Sequence, residues 1–320
     1  MRYLERRFVH GVLLLISVSI FCFLLSELAP GSFFDEMRLN PQISPETVAA
    51  LRVQYGLDRP LPARYAYWVK SVVHGEWGYS FAYNSPVRGL LLQRARNTLA
   101  LTGVAMALAW LLAIPIGVWT ASLPGKPVDR LSMAGTSFLL AVPEIVLLLG
   151  FLYFVVRTHI LPVGGMVSVD FDDLGLGAKI LDVVRHLIVP ATVLVFASLP
   201  ILVRHVRASM IEILGSPFIE AARGHGISPA RILFRYALPA AANPLISLFG
   251  LSVAGLLSGS LLVEVMTGWP GLGPLLLEAS MSRDLYVVVG VVMASTSFMV
   301  LGNLLADVML VVADPRVRTD

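Results

Sequence analysis

Glu220, Ala221, Ala222, Gly226 and Ser228 stand close together in EAARGHGISPARILFRYALPAA (220–241), a charged stretch between two long apolar runs. These residue types suit mechanical contact better than bond-making. The two alanines present no bulk, so a helix carrying them can approach another surface closely, and the Glu220 carboxylate adds one charge beside them. Gly226 permits a backbone reversal that other residues make only at a cost. Physical grounds leave two readings level: a short rigid helix that plugs into a cleft on a partner, or an amphipathic connector lying on a membrane surface.

Four acids fall within or at the ends of apolar runs: Glu27, Glu144, Glu264 and Asp307. Counted from Leu131 at about 1.5 Å per residue, Glu144 lies about 20 Å along its helix, directly after Pro143. A carboxylate at that depth costs about 2.5–3.5 kcal/mol, so it should face protein or a water-filled cavity. A pore-lining group is preferred slightly over an acid hydrogen-bonded between helices beside the proline. Glu27, Glu264 and Asp307 are expected nearer the membrane faces, where water is close, with Asp307 pairing with an arginine or capping a helix. Glu264 leads into WPGLGP (269–274), where Trp269, Pro270 and Gly271 open an irregular stretch of backbone. Gly250, Ala254 and Ser258 recur at four-residue spacing, and Gly255 with Gly259 forms GxxxG. Small residues let helices approach in lipid, and packing within the chain is expected ahead of a seam with a partner.

No residues are expected to be catalytic and none to bind metal. The phosphate-binding pattern GxxxxGK[ST] does not occur, because Gly125-Lys126 is followed by Pro127. There is no HExxH, and the six histidines show no metal-ligand spacing. Ser258, in GLLSGS, lacks the preceding glycine of a nucleophile elbow. The single Cys22 excludes a disulfide framework or a CxxC pair. A formal charge of +3 calls for no nucleic-acid partner.

The elements that must position these residues follow from composition. The chain is 57% hydrophobic and 14% charged, against about 45–50% and about 25% for soluble domains. Runs of spanning length predict six transmembrane helices near 9–28, 98–123, 131–156, 187–203, 245–266 and 285–313. The first is read as a retained helix, since no small-x-small cleavage site follows it. Placing both termini in the cytoplasm puts 12 of the 24 Lys/Arg in 65 inside residues and the other 12 in 117 outside residues, the bias that sets topology. The expected organisation is 1–28 (tail and first helix), 29–97 (an extracytoplasmic helical cap), 98–313 (a core containing cytoplasmic loop 204–244) and 314–320 (a cytoplasmic tail). In the cap, Ser44-Pro45-Glu46 reads as a helix start. Val48, Leu51 and Tyr55 share its apolar face, and Gly56 stops it. Leu61, Tyr65, Trp68, Val69 and Val72 form a second stripe. Ser85-Pro86 begins a third helix, expected along the interface and leading into the second span. In the cytoplasmic loop, Ser216-Pro217 and Ser228-Pro229 start two helices separated at Gly226, the second closed by Pro239.

The 220–241 stretch closely resembles the "EAA" loop of bacterial ABC-importer permeases, whose pattern is E-A-A, three residues, G, nine residues, I-x-L-P. Glu220, Ala221, Ala222, Gly226, Leu238 and Pro239 fall on it, with Tyr236 in place of isoleucine. YGLDRPLPARYAYWV (55–69), GEWGYSF (75–81), SPVRGLLLQRARNTLAL (85–101), VEVMTGWPGLG (263–273), RDLYVVVGVV (283–292) and NLLADVMLVVADPRVR (303–318) resemble the B-type permeases of the dipeptide, oligopeptide and nickel group. Two departures are RARNT (94–98), where Arg-Leu-Pro before the threonine is usual, and Met266, where phenylalanine is common. The resemblance implies an all-α polytopic membrane protein with six transmembrane helices, the ABC-importer type I permease fold, and a small extracytoplasmic cap after helix 1. It implies that residues around 217–226 couple to a cytoplasmic ATPase, through Glu220, Ala221, Ala222, Gly226 and Ser228. It places Glu264, Trp269, Pro270 and Gly271 near an outer gate. ATP and Mg would then bind partner subunits and no cofactor this chain. The implied partners are a second homologous permease, two ABC ATPase domains and an extracytoplasmic substrate-binding protein, in a bacterial or archaeal cytoplasmic membrane. The competing classes are an ion-coupled secondary transporter using Glu144 and a membrane enzyme. Internal repeat symmetry, usual in secondary transporters, is not found.

Overall fold

In lipid there is no water to satisfy backbone N–H and C=O groups, so long apolar runs become helices. The structure, a computed structural model, describes residues 2–28, 31, 33–38, 44–54 and 58–313. The helices are α1 (Arg2–Leu28), α2 (Phe33–Arg38), α3 (Pro45–Gln54), α4 (Leu61–Val73), α5 (Val87–Ser122), α6 (Pro127–Ala141) and α7 (Glu144–Thr158). They continue as α8 (Leu176–Leu214), α9 (Pro217–Gly224), α10 (Pro229–Arg231), α11 (Leu238–Ala240), α12 (Ala242–Thr267), α13 (Leu272–Met281) and α14 (Leu285–Ala313). A two-stranded hairpin, β1 (Tyr79–Ser80) antiparallel to β2 (Ser85–Pro86), precedes α5.

Among the described residues, α5, α8, α12, α14 and Leu4–Ser26 of α1 are each long and apolar enough to cross a bilayer. α6 and α7, bent by 95° at the break between them, pass the same test only together and make a sixth span when the pair is counted as one. The third span is therefore not the straight helix expected over 131–156. Val142 (φ −87°, ψ 118°) and Pro143 (φ −57°, ψ 142°) are both extended. Proline brings no N–H and drives the residue before it out of the helical region, so the ladder stops at Ala141 and restarts after Pro143. Glu144 is consequently the first residue of a helix and not a mid-helix position.

Two further boundaries differ from expectation. Ser85-Pro86 forms β2 and not the first turn of an interfacial helix, and α5 runs unbroken for 36 residues through Pro115. α8 is 39 residues long and contains Pro190 and Pro200. It absorbs residues 204–214 of the expected cytoplasmic loop. In α3, the Ser44 hydroxyl and carbonyl both accept from Thr47 N–H, and Val48 is fully buried. The side chains of Glu27 and Leu51, residues 55–57 including Tyr55 and Gly56, and the tail 314–320 lie outside the described residues.

The chain divides into two units. One comprises Phe8–Thr98 and Pro270–Phe298. Here Leu61, Tyr65, Trp68, Val69 and Val72 of α4 pack with Phe23 and Val289, as the stripe predicted. Tyr65 also exchanges a hydrogen bond with Ser19 at 2.9 Å. Asp284, fully buried just before α14, accepts from Ser80 Oγ at 2.7 Å and Ala82 N–H at 3.2 Å, and so holds the hairpin. Tyr83 donates to Glu278, and its pKa is pushed up to about 12 by desolvation first and that acceptor second. The phenol thus stays neutral well above the usual tyrosine range. Asp284→Ala would strand buried donors at about 1–3 kcal/mol. Lowered thermal stability in detergent with faster proteolysis at 79–86 is the expected result.

The other unit comprises Met1–Arg7, Leu99–Trp269 and Met299–Asp320. One core centres on Leu101, Ala105, Ala109, Leu148, Leu194, Val263 and Trp269. A second gathers Val118, Val206, Met210, Ile219, Ala222, Ile232 and Ala237. Arg7 Nε lies 3.3 Å from Asp307 Oδ2, the arginine pairing expected of that acid.

Candidate functional site

The loop between α8 and α12 is built by prolines more than by serine caps. Neither Ser216 nor Ser228 caps its helix with its hydroxyl. The Ser216 hydroxyl instead donates to Ile213 O. The Ser216 carbonyl accepts from Ile219 and Glu220, and the Ser228 carbonyl from Ile232. Pro217 and Pro229 begin the helices because a first-turn N–H has no intrahelical partner to lose. α9 ends at Gly224, and Gly226 then takes φ +71°, the left-handed turn anticipated there.

The second helix departs from expectation. After the single turn of α10, Ile232–Ala237 is a π-helix, and Leu238 N–H reaches back five residues to the Leu233 carbonyl. A π-turn that continued would next require an N–H at Pro239, which has none, so the wide turn ends there. Pro239 lies within α11 and does not close the segment, which continues into α12 after Ala241.

Burial divides the EAA residues. Ile219 and Ala222 are buried in the second core with Val206 and Met210 of α8. Glu220, Ala221 and Arg223 are exposed, as are Phe218, Gly226 and Ser228. The two alanines therefore do not present one smooth face: Ala222 anchors α9 to its own chain, and Ala221 faces out beside Glu220. This split follows from 100° of rotation per residue in a helix. A cavity of about 550 Å³ opens beside α9, walled by Ala121, Ile211, Leu214, Ile227 and Ile232, with Arg223 as its charged lining residue. This cavity opens to the surface, so one flank of α9 is not packed against its own chain.

α8 and α6 are joined near this loop by a cluster that sequence reasoning did not identify. Arg207 donates from Nε to Asp129 Oδ1 at 2.5 Å and from Nη2 to Oδ2 at 2.8 Å. Asp129 is 3% exposed and also accepts from Gly125 N–H at 2.8 Å. One turn earlier, Arg204 donates to Thr136 Oγ1 at 3.1 Å and to Ser137 Oγ. The available signal was two arginines three residues apart on one helix face and an acid in the first turn of α6.

At the break in the third span, Glu144 lies against Gly259 of α12, while Pro143 beside it is exposed. A Cβ added at Gly259 would sit 2.9 Å from Glu144 Oε1 and 3.1 Å from Oε2. The glycine is what admits the carboxylate. Oε1 is buried without a hydrogen-bond partner among the described residues. Of the small-residue stripe, Gly250 packs within the chain on Ala306 and Asn303, whereas nothing lies within 4 Å of a Cβ at Gly255.

Glu264 is fully buried and not near water as expected, and Trp269 is equally buried in the first core. Trp269 N–H donates to the Glu264 carbonyl at 2.9 Å, and Gly268 turns at φ +64°. Pro270 O accepts from Asn97 Nδ2 at 2.8 Å, and Leu272 N–H donates to Thr98 Oγ1 at 2.9 Å. Gly271 is extended at the start of α13. The irregular backbone at 268–271 is real, and it is held in place by these contacts. Among the described residues no group of three His, Cys, Asp or Glu could hold a metal ion.

Comparison with known proteins agrees with this architecture. Residues 113–319 match the family described as "Binding-protein-dependent transport system inner membrane component", and residues 1–102 match that family's N-terminal component. The oligopeptide transport system permease protein AppB of Bacillus subtilis (strain 168) is 33% identical over 319 residues, 99% of each chain. The dipeptide transport system permease protein DppB of Escherichia coli (strain K12) is 32% identical over 338 residues, again 99% of each. A solved structure of the MetNI methionine ABC transporter superposes with a TM-score of 0.53 at 19% identity, covering 70% of this chain and 96% of that one, which is a likeness of fold. The chain is a multi-pass membrane protein of all-α type I permease fold and belongs to the family of binding-protein-dependent transport system inner membrane components, the permeases of ABC importers.

Proposed function

We propose that this chain is one transmembrane subunit of an importer for di- or oligopeptides or a related solute. The observation that carries the coupling role is the division of α9: Ile219 and Ala222 fix the helix to the chain, leaving Glu220, Ala221 and Arg223 for a partner. A helix held on one face and bare on the other transmits displacement through contact. The ATP-binding machinery, with its Mg, belongs to two cytoplasmic ABC ATPase domains that grip α9. A second homologous permease completes the pore, and an extracytoplasmic binding protein delivers the solute. Closure of the ATPases shifts the permease between inward- and outward-facing states through unequal affinity for the two. The peptide class rests on relatives named for oligopeptide and dipeptide transport.

In this reading Glu220, Ala221, Ala222, Gly226 and Ser228 form the coupling element, with Ala222 as its anchor. Pro143 and Glu144, at the broken span, line the route, because non-helical backbone at membrane depth is tolerated where it is buried in protein or borders water. Glu264, Trp269, Pro270 and Gly271 brace an outer gate. Both termini lie in the cytoplasm, supported by the nearly twofold denser Lys/Arg on that side.

The test is to tag the chain in its native host, extract it in mild detergent, identify stoichiometric companions and measure uptake. A second permease with one or two ATPases, and uptake abolished by ATP depletion, are expected. A single-chain oligomer whose uptake follows an ion gradient after ATP depletion would overturn the reading and point to Glu144.

A further inference from the structure

We infer that Arg207 and Arg204 of α8, with Asp129, Thr136 and Ser137 of α6, form the link that carries displacement of α9 to the break in the third span. The inference rests on the coupling role proposed for α9 and extends it inward. α9 is tied to α8 at two points: the chain itself, through Gly215 and Ser216, and the packing of Ile219 and Ala222 with Val206 and Met210. The inner end of α8 therefore moves with α9. Arg207 is seven residues from the end of α8 at Leu214, about 10 Å along the helix. Its bidentate contact to Asp129 is directional as well as strong, because two parallel N–H donors fix both position and angle.

Arg204 extends the grip. Asp129, Thr136 and Ser137 recur at seven- and eight-residue spacing, so they share one face of α6, and the two arginines engage that face over two turns. Between them, Val206 lies where a Cβ at Gly117 of α5 would be 2.6 Å from it, closing the other side of α8. α6 cannot slide along α8 without breaking the clamp. At its far end α6 stops at Ala141, and Val142 and Pro143 are extended with no α-helical ladder across them. Motion delivered to α6 is thus free to change the angle at that joint, beside Glu144. These are positioning residues: they touch neither nucleotide nor transported solute.

The experiment uses the full chain assembled with its partner subunits and reconstituted in liposomes. Cys22→Ser removes the single native thiol, and Ala141→Cys, an exposed position at the end of α6, carries a nitroxide. Spectra are compared without nucleotide and with ATP trapped by vanadate. The expected result is a nucleotide-dependent change at 141 in the parent that is lost in Asp129→Asn. ATP hydrolysis should persist in that variant while uptake per ATP falls about tenfold. The charge exchange Asp129→Arg with Arg207→Asp should recover part of both signals. Arg204→Met provides an independent variant should Asp129→Asn fail to assemble. No nucleotide response at 141 in the parent, or an unchanged response and uptake in the assembled variants, would overturn the inference. Glu220→Lys is measured alongside. If it uncouples while Asp129→Asn and Arg204→Met behave as the parent, the link is wrong and the coupling role of α9 stands. If Glu220→Lys itself behaves as the parent, the coupling role is what fails.

Discussion

Gly226→Val is expected to leave the chain inserted and assembled while uptake per ATP hydrolysed falls at least about tenfold. The reason is conformational and not steric. Gly226 holds φ +71°, yet nothing lies within 4 Å of the position a Cβ would occupy. A β-branched residue there pays for the left-handed backbone, about 1–3 kcal/mol, and relieves that strain by reorienting the end of α9. Asparagine, which tolerates the left-handed region, should retain most coupled uptake at the same position. Glu220→Lys tests the same helix by charge alone, since Glu220 is exposed and its replacement disturbs no core contact. It should uncouple without lowering stability. Parallel assays of uptake and ATP hydrolysis in proteoliposomes check both variants. Normal coupling by Glu220→Lys would remove α9 from the mechanism, and normal coupling by Gly226→Val would show that the turn after it need not be left-handed.

Gly117→Ala and Gly259→Ala should differ sharply although both add one methyl group to a helix. At Gly117 the new Cβ would meet Val206 Cβ and Cγ1 at 2.6 Å and the Arg207 backbone nitrogen at 3.1 Å. A β-branched side chain has little freedom at χ1, and backbone has less, so the α5–α8 contact must open. Overpacking of this kind costs about 1–3 kcal/mol, partly offset by the gain of about 1 kcal/mol for alanine over glycine in a helix. We expect a net loss of up to about 2 kcal/mol. At Gly259 the obstacle is the end of the Glu144 side chain, at 2.9 and 3.1 Å. A carboxylate on two methylenes can swing aside, so Gly259→Ala should cost less than about 1 kcal/mol, and Glu144→Ala should abolish even that. Unfolding in mixed detergent–SDS micelles gives both values. Equal costs at the two positions would show that helix separation, and not the identity of the obstructing atoms, governs packing here.

How far the residues could be read in advance depended on the range of the interaction concerned. Five of the six expected spans followed from apolar run length, because spanning a bilayer is a local requirement. The α4 stripe was legible for the same reason, since its five residues share one face at helical spacing. Gly226 was legible because only a glycine makes the turn cheaply. The break at Val142–Pro143 was misread although proline was in plain view: some membrane helices, like α5 at Pro115 and α8 at Pro190 and Pro200, pass through proline unbroken. Whether a helix bends there is settled by what packs on either side.

By itself, the sequence determined that this is a predominantly helical, multi-pass membrane permease with a charged loop punctuated by Ser-Pro, Gly and Pro between two apolar runs. Such features depend on hydropathy, periodicity and backbone chemistry, which act over a few residues. The tertiary structure alone decided that Ala222 faces inward while Ala221 faces out, that Glu264 and Trp269 are buried, and that Gly259 makes room for Glu144. It alone joined Asp129 to Arg207, 78 residues apart in the chain. Contacts of that kind depend on the rotation and register of one helix against another. In lipid those are chosen by close packing and a few polar contacts, with little hydrophobic driving force to betray them along the sequence.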